Sequence, residues 1–368
     1  MGSFSVVVVG GGAVGLYFSR LAAESGLDVT LYESKRDVSE GAEKASGILS
    51  IRGLERIGIE ADGCKVNTLK GAVLHSDGRS LNIVSRRPMA YVLDRGLLAK
   101  SLERDALESG VKITKGKRLE KSDIIDISKD RSTVVVGADG SISGVASAFG
   151  FPPIRKYVLT YKAEYRGAHA GRTDVVGLYF SKHYAKGLFG WHVPYSDDVV
   201  EIGLGISSDS KMSSRIAFDR FIKSGDINGI IDEASMISGH ASMIPLESRR
   251  CTVKGNVALI GDAAGQVKAT TGGGIIFGCL SAIALRDSIV KSNGELSRLA
   301  RYERAWRSVC GRDLAMHNMI HNYYSSNSLG RAFRVIKALG MEDFFSKYGD
   351  MDSPSLMLKR FLLRGLSE

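Results

Sequence analysis

Residues 6–15 read VVVVGGGAVG, and this stretch decides the fold of the N-terminal part of the chain. Its four consecutive valines predict a strand that is buried on both faces. Gly10, Gly12 and Gly15 stand at G-x-G-x-x-G spacing, in which glycines allow a tight turn, close approach of a pyrophosphate and close packing of a helix. Residues 16–25 predict that helix, and its N-terminus favours an anionic ligand. The stretch therefore predicts a dinucleotide-binding turn.

Glu33 completes the pattern, because it ends the next predicted strand about 20 residues after the glycines. An acid at this position binds ribose hydroxyls and repels a 2′-phosphate, so FAD or NAD is favoured over NADP. Lys35 and Arg36 follow where a cation would neutralise the phosphates, although an exposed loop would have the same residues. A purely structural turn is the alternative for the whole pattern. The residues expected to contact the dinucleotide here are Gly10, Gly12, Ala13, Val14, Gly15, Glu33, Ser34, Lys35 and Arg36.

The composition is that of a globular protein with many glycines: 368 residues, of which 43 are glycine, 44% hydrophobic and 24% charged. This length suits two or three domains. The four cysteines form no C-x-x-C pair, which indicates free thiols in a reducing compartment. No run reaches the roughly 20 apolar residues that span a bilayer. We therefore expect a cytoplasmic protein, and no metal site, since His317 and His321 lack a nearby carboxylate in the sequence.

The chain is basic, with a formal charge of +10 at pH 7. Its Lys and Arg residues are dispersed and form no nucleic-acid-binding motif, so we expect no nucleic-acid partner. Two alternatives remain for this charge: an ordinary solvated surface, or a surface that meets anionic lipid. Residues 354–366 predict an amphipathic helix with Lys359, Arg360 and Arg364. Such a helix either packs on its own domain or docks on a membrane.

Three later stretches indicate how the rest of the chain is organised. Residues 133–140, TVVVGADG, predict a second buried strand that runs into a glycine turn, with Asp139 placed to cap that turn. Residues 157–247 contain runs in which apolar and polar residues alternate, and they contain many aromatic residues, as in an antiparallel sheet. Residues 256–275 return to the first pattern, with a buried strand, Gly261-Asp262, and a glycine-rich turn that opens a helix.

Three glycine–acid elements in this order, containing Glu33, Asp139 and Asp262, resemble the FAD-containing group typified by p-hydroxybenzoate hydroxylase. This resemblance implies that Asp262 holds the ribitol of FAD and that Arg95 lies beside its phosphates. It also implies a backbone contact to the adenine near Arg118.

Within that group the chain is most similar to the geranylgeranyl reductase family, along nearly its whole length. Four local patterns carry this resemblance: KASGILSIRGLE at 44–55, YVLDR at 91–95, FGWHVP at 189–194 followed by GLG at 203–205, and TGGGI at 271–275. The third and fourth patterns are the most specific. The implied FAD contacts are Ala45, Arg95, Arg118, Asp139, Gly261, Asp262, Gly272, Gly273, Gly274 and Ile275. The implied substrate contacts are Phe189, Trp191, Pro194, Gly203 and Gly205.

The predicted fold class is α/β, with a Rossmann-like FAD-binding βαβ domain, an inserted antiparallel β-sheet substrate domain and a C-terminal helical region. The predicted FAD-binding domain is discontinuous and combines residues 1–64, 85–150 and 246–295. The predicted substrate domain combines residues 65–84 and 151–245, and the helical region covers residues 296–368.

The family resemblance implies an oxidoreductase in which reduced FAD gives hydride to a C=C bond of a prenyl chain. The implied substrate is a prenylated lipid of archaeal membrane synthesis or a prenyl diphosphate, with the protein peripheral at the inner face of the membrane. No second G-x-G-x-x-G is present, so the electron donor is external, NAD(P)H or ferredoxin. The proton comes from water or from His192. Ala45 stands where many family members carry a cysteine.

Three other functions remain open at this point. The same cofactor domain supports an FAD-dependent aromatic monooxygenase. A flavin-dependent halogenase shares a Trp-rich motif that ends in proline, but Phe189 replaces the first Trp of that motif. A flavin- or lipid-binding protein without turnover is the third, because of Ala45.

Overall fold

A computed structural model describes residues 5–364 of the chain, and their contacts divide into two compact units. The first unit comprises the residues up to Glu43, Arg95–Arg155 and Pro245–Leu314. The second unit comprises Lys44–Asp94, Lys156–Ile244 and the residues from Ala315 onward. Each unit is therefore assembled from three separate stretches of sequence.

The elements alternate along the chain and are numbered in chain order. The strands are β1 (Ser5–Val9), β2 (Asp28–Tyr32), β3 (Ile48–Ser50), β4 (Lys65–Leu69), β5 (Gly71–Ser76), β6 (Arg79–Val84), β7 (Ala90–Leu93), β8 (Lys112–Thr114), β9 (Thr133–Gly137), β10 (Tyr157–Arg166), β11 (Val175–Phe180), β12 (Gly187–Pro194), β13 (Val199–Ser207), β14 (Ser235–Pro245), β15 (Val253–Lys254) and β16 (Val257–Leu259). The α-helices are α1 (Ala13–Glu24), α2 (Ile51–Ile57), α3 (Arg95–Glu108), α4 (Lys121–Lys129), α5 (Gly144–Ala148), α6 (Ser214–Ile222), α7 (Ile275–Ser292), α8 (Arg301–Trp306), α9 (Arg312–Ser326), α10 (Gly330–Ala338), α11 (Met341–Tyr348) and α12 (Pro354–Arg364).

The first unit is organised around a six-stranded sheet in the order β15-β16-β9-β1-β2-β8. The strands from β16 to β8 are parallel, and β15 pairs with β16 in the antiparallel sense. Val7 of β1 lies in register between Thr30 and Val135, and Val6 and Val8 are almost fully buried. The four valines thus form a central strand, and the predicted Rossmann-like βαβ unit is confirmed.

Tyr302 on α8 links the end of β16 to the turn that follows it. Its hydroxyl donates to the carbonyl of Leu259 over 2.9 Å and accepts from Nε2 of Gln266 over 3.0 Å. Oε1 of Gln266 in turn accepts from the N–H of Gly261 over 2.8 Å. Both side chains, Tyr302 and Gln266, are buried. The network therefore sets the conformation of the turn in which Asp262 lies.

The second unit is organised around a seven-stranded sheet in the order β14-β10-β13-β12-β11-β5-β6. The pairs between β10 and β11 are antiparallel, whereas β11 and β5 are parallel. Because side chains alternate along a strand, Ile202 and Leu204 of β13 face the core that contains Phe218 and Phe221 of α6. The side chain of Glu201 on β13 points to the opposite face of the sheet. This confirms the predicted antiparallel sheet.

A smaller sheet, β3-β7-β4, and the C-terminal helices complete the second unit. Glu342 on α11 accepts from the N–H of Asn82 over 3.0 Å, and the buried carboxylate of Asp352 accepts from the hydroxyl of Ser50. No helix within residues 5–364 is long and apolar enough to cross a bilayer. The predicted helix at 354–366 is observed as α12, and its last two predicted residues lie outside the described range.

The two units divide the chain differently from the predicted domains. Residues 44–64 and 85–94 were assigned to the FAD-binding domain, but β3 pairs with β7 in the second unit. The predicted helical region at 296–368 is divided at residue 314, because α8 packs on α7 in the first unit. Pairing between distant strands, rather than sequence proximity, decides these boundaries.

Replacing Tyr302 by Phe is expected to lower the free energy of unfolding by about 1–3 kcal/mol, because the Leu259 carbonyl and the Gln266 amide would lose a buried partner. Denaturant unfolding followed by circular dichroism measures this change. Tyr323→Phe is the matched control, since Tyr323 is 54% exposed, and it should change the free energy by less than about 0.5 kcal/mol. Equal stability of the two variants would contradict a structural role for the Tyr302 network.

Candidate functional site

Two glycines of the N-terminal motif are required by close backbone contacts, one with the segment after β9 and one between α1 and the end of β1. Gly10 has φ +107°, and a Cβ there would stand 2.4 Å from the carbonyl oxygen of Ala138. A Cβ at Gly15 would stand 2.0 Å from the carbonyl oxygen of Gly10. Neither position can hold a side chain, so α1 lies close to the end of β1.

Gly12 has a different environment, because a Cβ there would meet no described atom within 4 Å. Gly12 is exposed and is the N-cap of α1, and no described side chain caps this helix end. The first-turn N–H groups of α1 therefore face open space, together with the positive end of the helix dipole. This open cradle fits a pyrophosphate.

Glu33 is held at the edge of this cradle by the glycine turn itself. Its carboxylate is buried and accepts from the N–H of Gly11 over 2.6 Å and from the N–H of Lys35 over 2.8 Å. A Cβ at Gly11 would stand 3.0 Å from the Cβ of Glu33, so Gly11 allows this contact. Gly11 was not predicted from the sequence as a site residue. The side chain of Lys35 donates to the carbonyl of Glu40, and Arg36 is exposed.

Asp139 acts as a cap in this structure. Its Oδ1 accepts from the hydroxyl of Ser143 over 2.6 Å, and its Oδ2 accepts from the N–H of Val145 in the first turn of α5 over 3.0 Å. Burial raises the pKa of Asp139, and these hydrogen bonds oppose that shift. A contact from Asp139 to FAD stays a prediction. Arg118 is exposed in the loop after β8, and its contact to adenine stays a prediction as well.

A second glycine turn lies between β16 and α7, where Asp262 and Gly274 approach each other. A Cβ at Gly274 would stand 2.7 Å from Oδ1 of Asp262, and Gly272 has φ +74°. Burial raises the pKa of Asp262, whereas the charge of Arg95 lowers it. The first unit thus contains five predicted cofactor residues in this region: Arg95, Asp262 and the three glycines at 272–274. Their contacts with FAD stay predictions.

Lys268 belongs to this glycine turn and was not predicted from the sequence. Its side chain is 5% exposed, and its Cε lies 2.6 Å from where a Cβ of Gly273 would stand. Its backbone carbonyl accepts from the N–H of Gly272 over 2.9 Å. A buried cation beside a glycine turn is suited to an electron-rich or anionic group of a ligand. No local sequence signal distinguishes Lys268 from a surface lysine.

In the second unit, Trp191 of β12 lies against Gly203 of β13. The two residues are paired in register, and a Cβ at Gly203 would stand 2.3 Å from Cζ2 of the indole. Gly203 therefore provides the space for the Trp191 ring. Gly205 has a similar packing role, because a Cβ there would stand 2.5 Å from the side chain of Leu188. Substrate contacts of these two glycines stay predictions.

Phe189 and Pro194 are both buried in the second unit. The ring of Phe189 lies 5.2 Å from that of Phe180 and 6.1 Å from that of Trp191. The carbonyl of Pro194 accepts from Nδ2 of Asn67 over 2.8 Å. Ala45 is exposed in the segment before β3, also in the second unit. A contact from Ala45 to the cofactor stays a prediction.

His192 points to the face of the sheet opposite to Trp191, because consecutive side chains of a strand alternate. Its Nδ1 lies 3.0 Å from the hydroxyl of Tyr179, and burial lowers the pKa of His192 to about 4. A neutral imidazole on the face of the sheet that packs on α6 is poorly placed to give a proton to a ligand beside Trp191, on the opposite face. The geometry gives no support to His192 as a proton donor. Within residues 5–364, no group of three His, Cys, Asp or Glu side chains is placed to hold a metal ion.

The open space at Gly12 generates a prediction about cofactor affinity. Gly12→Ala should leave the thermal unfolding temperature of the cofactor-free protein nearly unchanged and weaken FAD binding at least tenfold, because the new methyl group enters the cradle. Calorimetric titration measures the affinity. Lys129→Ala, at the end of α4 in the first unit, is the control, since Lys129 is exposed and forms an ion pair with Asp126 one turn earlier. Unaltered affinity in Gly12→Ala would show that the ligand does not enter this turn.

Comparison with known proteins agrees with this architecture. A family model described as an NAD(P)-binding Rossmann-like domain matches residues 8–43. Digeranylgeranylglycerophospholipid reductase of Methanothrix thermoacetophila is 26% identical over 366 residues, which cover 92% of each chain. Among solved structures, a geranylgeranyl bacteriochlorophyll reductase-like protein of Thermoplasma acidophilum superposes with a TM-score of 0.80 at 19% identity, over 97% of this chain and 95% of that one.

A second solved structure, p-nitrophenol 4-monooxygenase of Pseudomonas putida, superposes with a TM-score of 0.70 at 17% identity, over 98% of both chains. The fold is therefore shared by proteins whose names give different activities. The relative from Methanothrix matches both units of this chain and not only the Rossmann-like segment. The resemblance to the geranylgeranyl reductase family, which the four sequence motifs predicted, is confirmed over nearly the whole chain.

Proposed function

We propose that this chain is an FAD-dependent oxidoreductase that saturates C=C bonds in the geranylgeranyl chains of isoprenoid lipids. The observation that carries the proposal is the similarity to a digeranylgeranylglycerophospholipid reductase over 92% of the chain, which includes the sheet that bears Trp191. A dinucleotide domain alone would support many reactions. Because the similarity includes the second unit, it also covers the residues that are predicted to contact the substrate.

The residues of the first unit fit FAD. The open turn at Gly12 suits its pyrophosphate, and the buried carboxylate of Glu33 suits ribose hydroxyls. Asp262 would hold the ribitol, and the glycines at 272–274 would allow close approach of the ring system. When bound and reduced, FAD supplies a hydride. The role of the chain is to bind and orient this group and to exclude water around it.

Apolar contact is the main source of substrate affinity in this proposal. Each buried CH₂ group contributes about 0.8 kcal/mol, so a prenyl chain gains on the order of 10 kcal/mol. A basic residue near an anionic lipid surface contributes only about 1 kcal/mol. Trp191 and Phe189 are assigned to the apolar wall, and dispersed basic residues orient the head group. Electrons come from an external donor, NAD(P)H or ferredoxin, and the proton comes from water.

The reductase assay is the direct test of this function. The purified protein is reduced anaerobically and supplied with digeranylgeranyl phospholipid or geranylgeranyl diphosphate, and mass spectrometry should detect an increase of about 2 Da per double bond saturated. Trp191→Ala should lower kcat/KM by at least tenfold through lost apolar contact, with the flavin absorption spectrum unchanged. Trp191→Phe should have an intermediate effect.

Unchanged lipid with every prenyl substrate would refute the reductase proposal. Rapid oxygen consumption with a hydroxylated aromatic product would identify a monooxygenase instead. Tight binding of prenyl lipid without reduction would identify the non-catalytic alternative. Loss of FAD from Trp191→Ala would show that Trp191 belongs to the cofactor site.

A second observation favours docking of the protein on an anionic lipid surface. Helices α10 and α12 expose large apolar side chains beside basic ones, although most such side chains elsewhere are buried. Val335 is 57% exposed and Leu339, just after α10, is 67% exposed. The exposed apolar residues of α12 are Leu356, Leu358, Phe361, Leu362 and Leu363. Neighbouring cations on these two helices are Arg331, Arg334, Lys337, Lys359 and Arg360. This pattern is typical of helices that lie at a membrane interface.

Flotation with vesicles tests this docking. The protein should float with vesicles that contain phosphatidylglycerol, less with pure phosphatidylcholine, and less at high salt, because screening weakens surface electrostatics. The triple variant Val335→Ser, Leu339→Ser, Leu362→Ser should lose most of the binding. Ile142→Ser is the matched control, since Ile142 is 78% exposed but lies in the first unit. Equal flotation of the triple variant and the control would contradict the assignment.

A further inference from the structure

A carboxylate in the centre of the second unit accepts four hydrogen bonds from side chains. Glu201 is 0% exposed. Its Oε2 accepts from Nζ of Lys162 over 2.7 Å and from the hydroxyl of Tyr195 over 2.9 Å. Its Oε1 accepts from Nε1 of Trp191 over 2.8 Å and from the hydroxyl of Ser46. The donors come from three segments of the unit: Ser46 before β3, Lys162 on β10, and Trp191 and Tyr195 in and directly after β12.

This arrangement is a poor source of stability. Removing two charges from water costs several kcal/mol per ion, and well-packed apolar residues of similar size are often equally stable. Lys162 is 3% exposed, so both members of the ion pair bear this cost. The four hydrogen bonds instead fix the orientation of the donor side chains, because each bond is directional and ends on the same charged carboxylate.

The indole of Trp191 is the donor whose orientation matters for a ligand. Its N–H is directed to Glu201, and one ring face lies on Gly203. The ring of Phe189 stands at 75° to it. Trp191 is nevertheless partly exposed. Trp191 also packs against the apolar cluster that contains Val92, Val176 and Val193. With its N–H occupied, Trp191 offers a ligand the exposed part of its π system.

An isolated prenyl double bond is a poor hydride acceptor, because no carbonyl polarises it. Its reduction is balanced when a proton adds to one alkene carbon as the π bond breaks, and the methyl-bearing carbon then receives the hydride electron pair. Positive charge therefore develops on the methyl-bearing carbon. A tryptophan ring face stabilises such charge, and the effect is larger away from water.

Resting on the proposed function, we propose that Glu201 is a positioning residue that fixes Trp191 with the exposed part of its ring toward the prenyl double bond, so that the ring stabilises positive charge on the methyl-bearing carbon. The hydrogen bond from the indole to a carboxylate also increases the electron density of the ring. Tyr195 extends the assembly, because its hydroxyl accepts from the N–H of Gly47 in the segment that carries Ala45. Glu201 thereby links Trp191 to the segment that the family resemblance associates with the cofactor.

The test measures binding of two isosteric probes to the FAD-loaded protein. One probe is a prenyl alcohol in which a protonated tertiary amine replaces one methyl-bearing alkene carbon. The other is its saturated all-carbon isostere. Calorimetric titration should show about three- to thirtyfold tighter binding of the ammonium probe, the range expected for a cation over a tryptophan face. Trp191→Leu should reduce this preference to less than about twofold, and Trp191→Phe should retain part of it.

The double variant Glu201→Gln, Lys162→Met removes both fully buried charges together. Glu164 loses its contact with Lys162, 3.7 Å away, but it is partly exposed to water. The double variant should lose most of the ammonium preference while the flavin spectrum and far-ultraviolet circular dichroism stay unchanged. The matched control is Lys70→Met, Asp174→Asn, which removes a partly exposed ion pair of the same unit, 3.2 Å apart. In a Trp306→Phe background Trp191 is the sole tryptophan, and its emission maximum should shift in the first double variant only.

The outcomes separate this inference from the proposed function. Equal affinity of the two probes for the wild-type protein, or weak binding of both, would overturn the inference even if lipid is reduced. A preference that survives in Trp191→Leu or in the Glu201 double variant would overturn it as well. Absence of lipid reduction together with a Trp191-dependent ammonium preference would refute the reductase and leave the role of Glu201 standing.

Discussion

The contact between α1 and β1 is the constraint on which the first unit depends. Gly15 and Gly10 approach so closely that a single methyl group at Gly15 would stand 2.0 Å from a carbonyl oxygen. This proximity places the first turn of α1 at the end of the central strand, and it brings the N–H of Gly11 within 2.6 Å of the carboxylate of Glu33. The open turn, the helix N-terminus and the acid therefore follow from one packing contact.

Local motifs explain why this part of the fold was predictable from sequence. The valine run, the glycine spacing and the terminal acid all act over fewer than about 30 residues, the size of one βαβ unit. Segments that depend on distant partners were predicted less well. Residues 47–55 have helical spacing, but Ile48–Ser50 form a strand because they pair with Ala90–Leu93. Residues 121–129 have the composition of a charged loop, yet a capping box between Glu120 and Asp123 begins α4.

The same distinction holds for the candidate site residues. Arg95, Asp262 and the second glycine turn were found because they stand in contiguous motifs. Glu201 was not found, since an acid in an alternating strand indicates a solvated face. Its burial depends on Lys162, 39 residues away on the neighbouring strand. The alternation of side chains along a strand places His192 and Trp191 on opposite faces of the sheet. This argument requires knowing that both residues lie within β12.

The predicted site residues of the two units offer different kinds of interaction to a ligand. In the proposed function the first unit would bind FAD through backbone N–H groups, beside glycines that keep side chains out of the turn, and such a cradle would accept any dinucleotide with a suitable ribose. The same fold occurs in a p-nitrophenol monooxygenase and in a geranylgeranyl reductase-like protein, so the cradle does not select the reaction. Selection must come from side chains that differ between such proteins. In this chain the strongest candidates are the aromatic residues of the second unit. The hydrogen bond to the buried carboxylate of Glu201 occupies the N–H of Trp191, so in the proposed function the ring, rather than the N–H, would recognise the substrate.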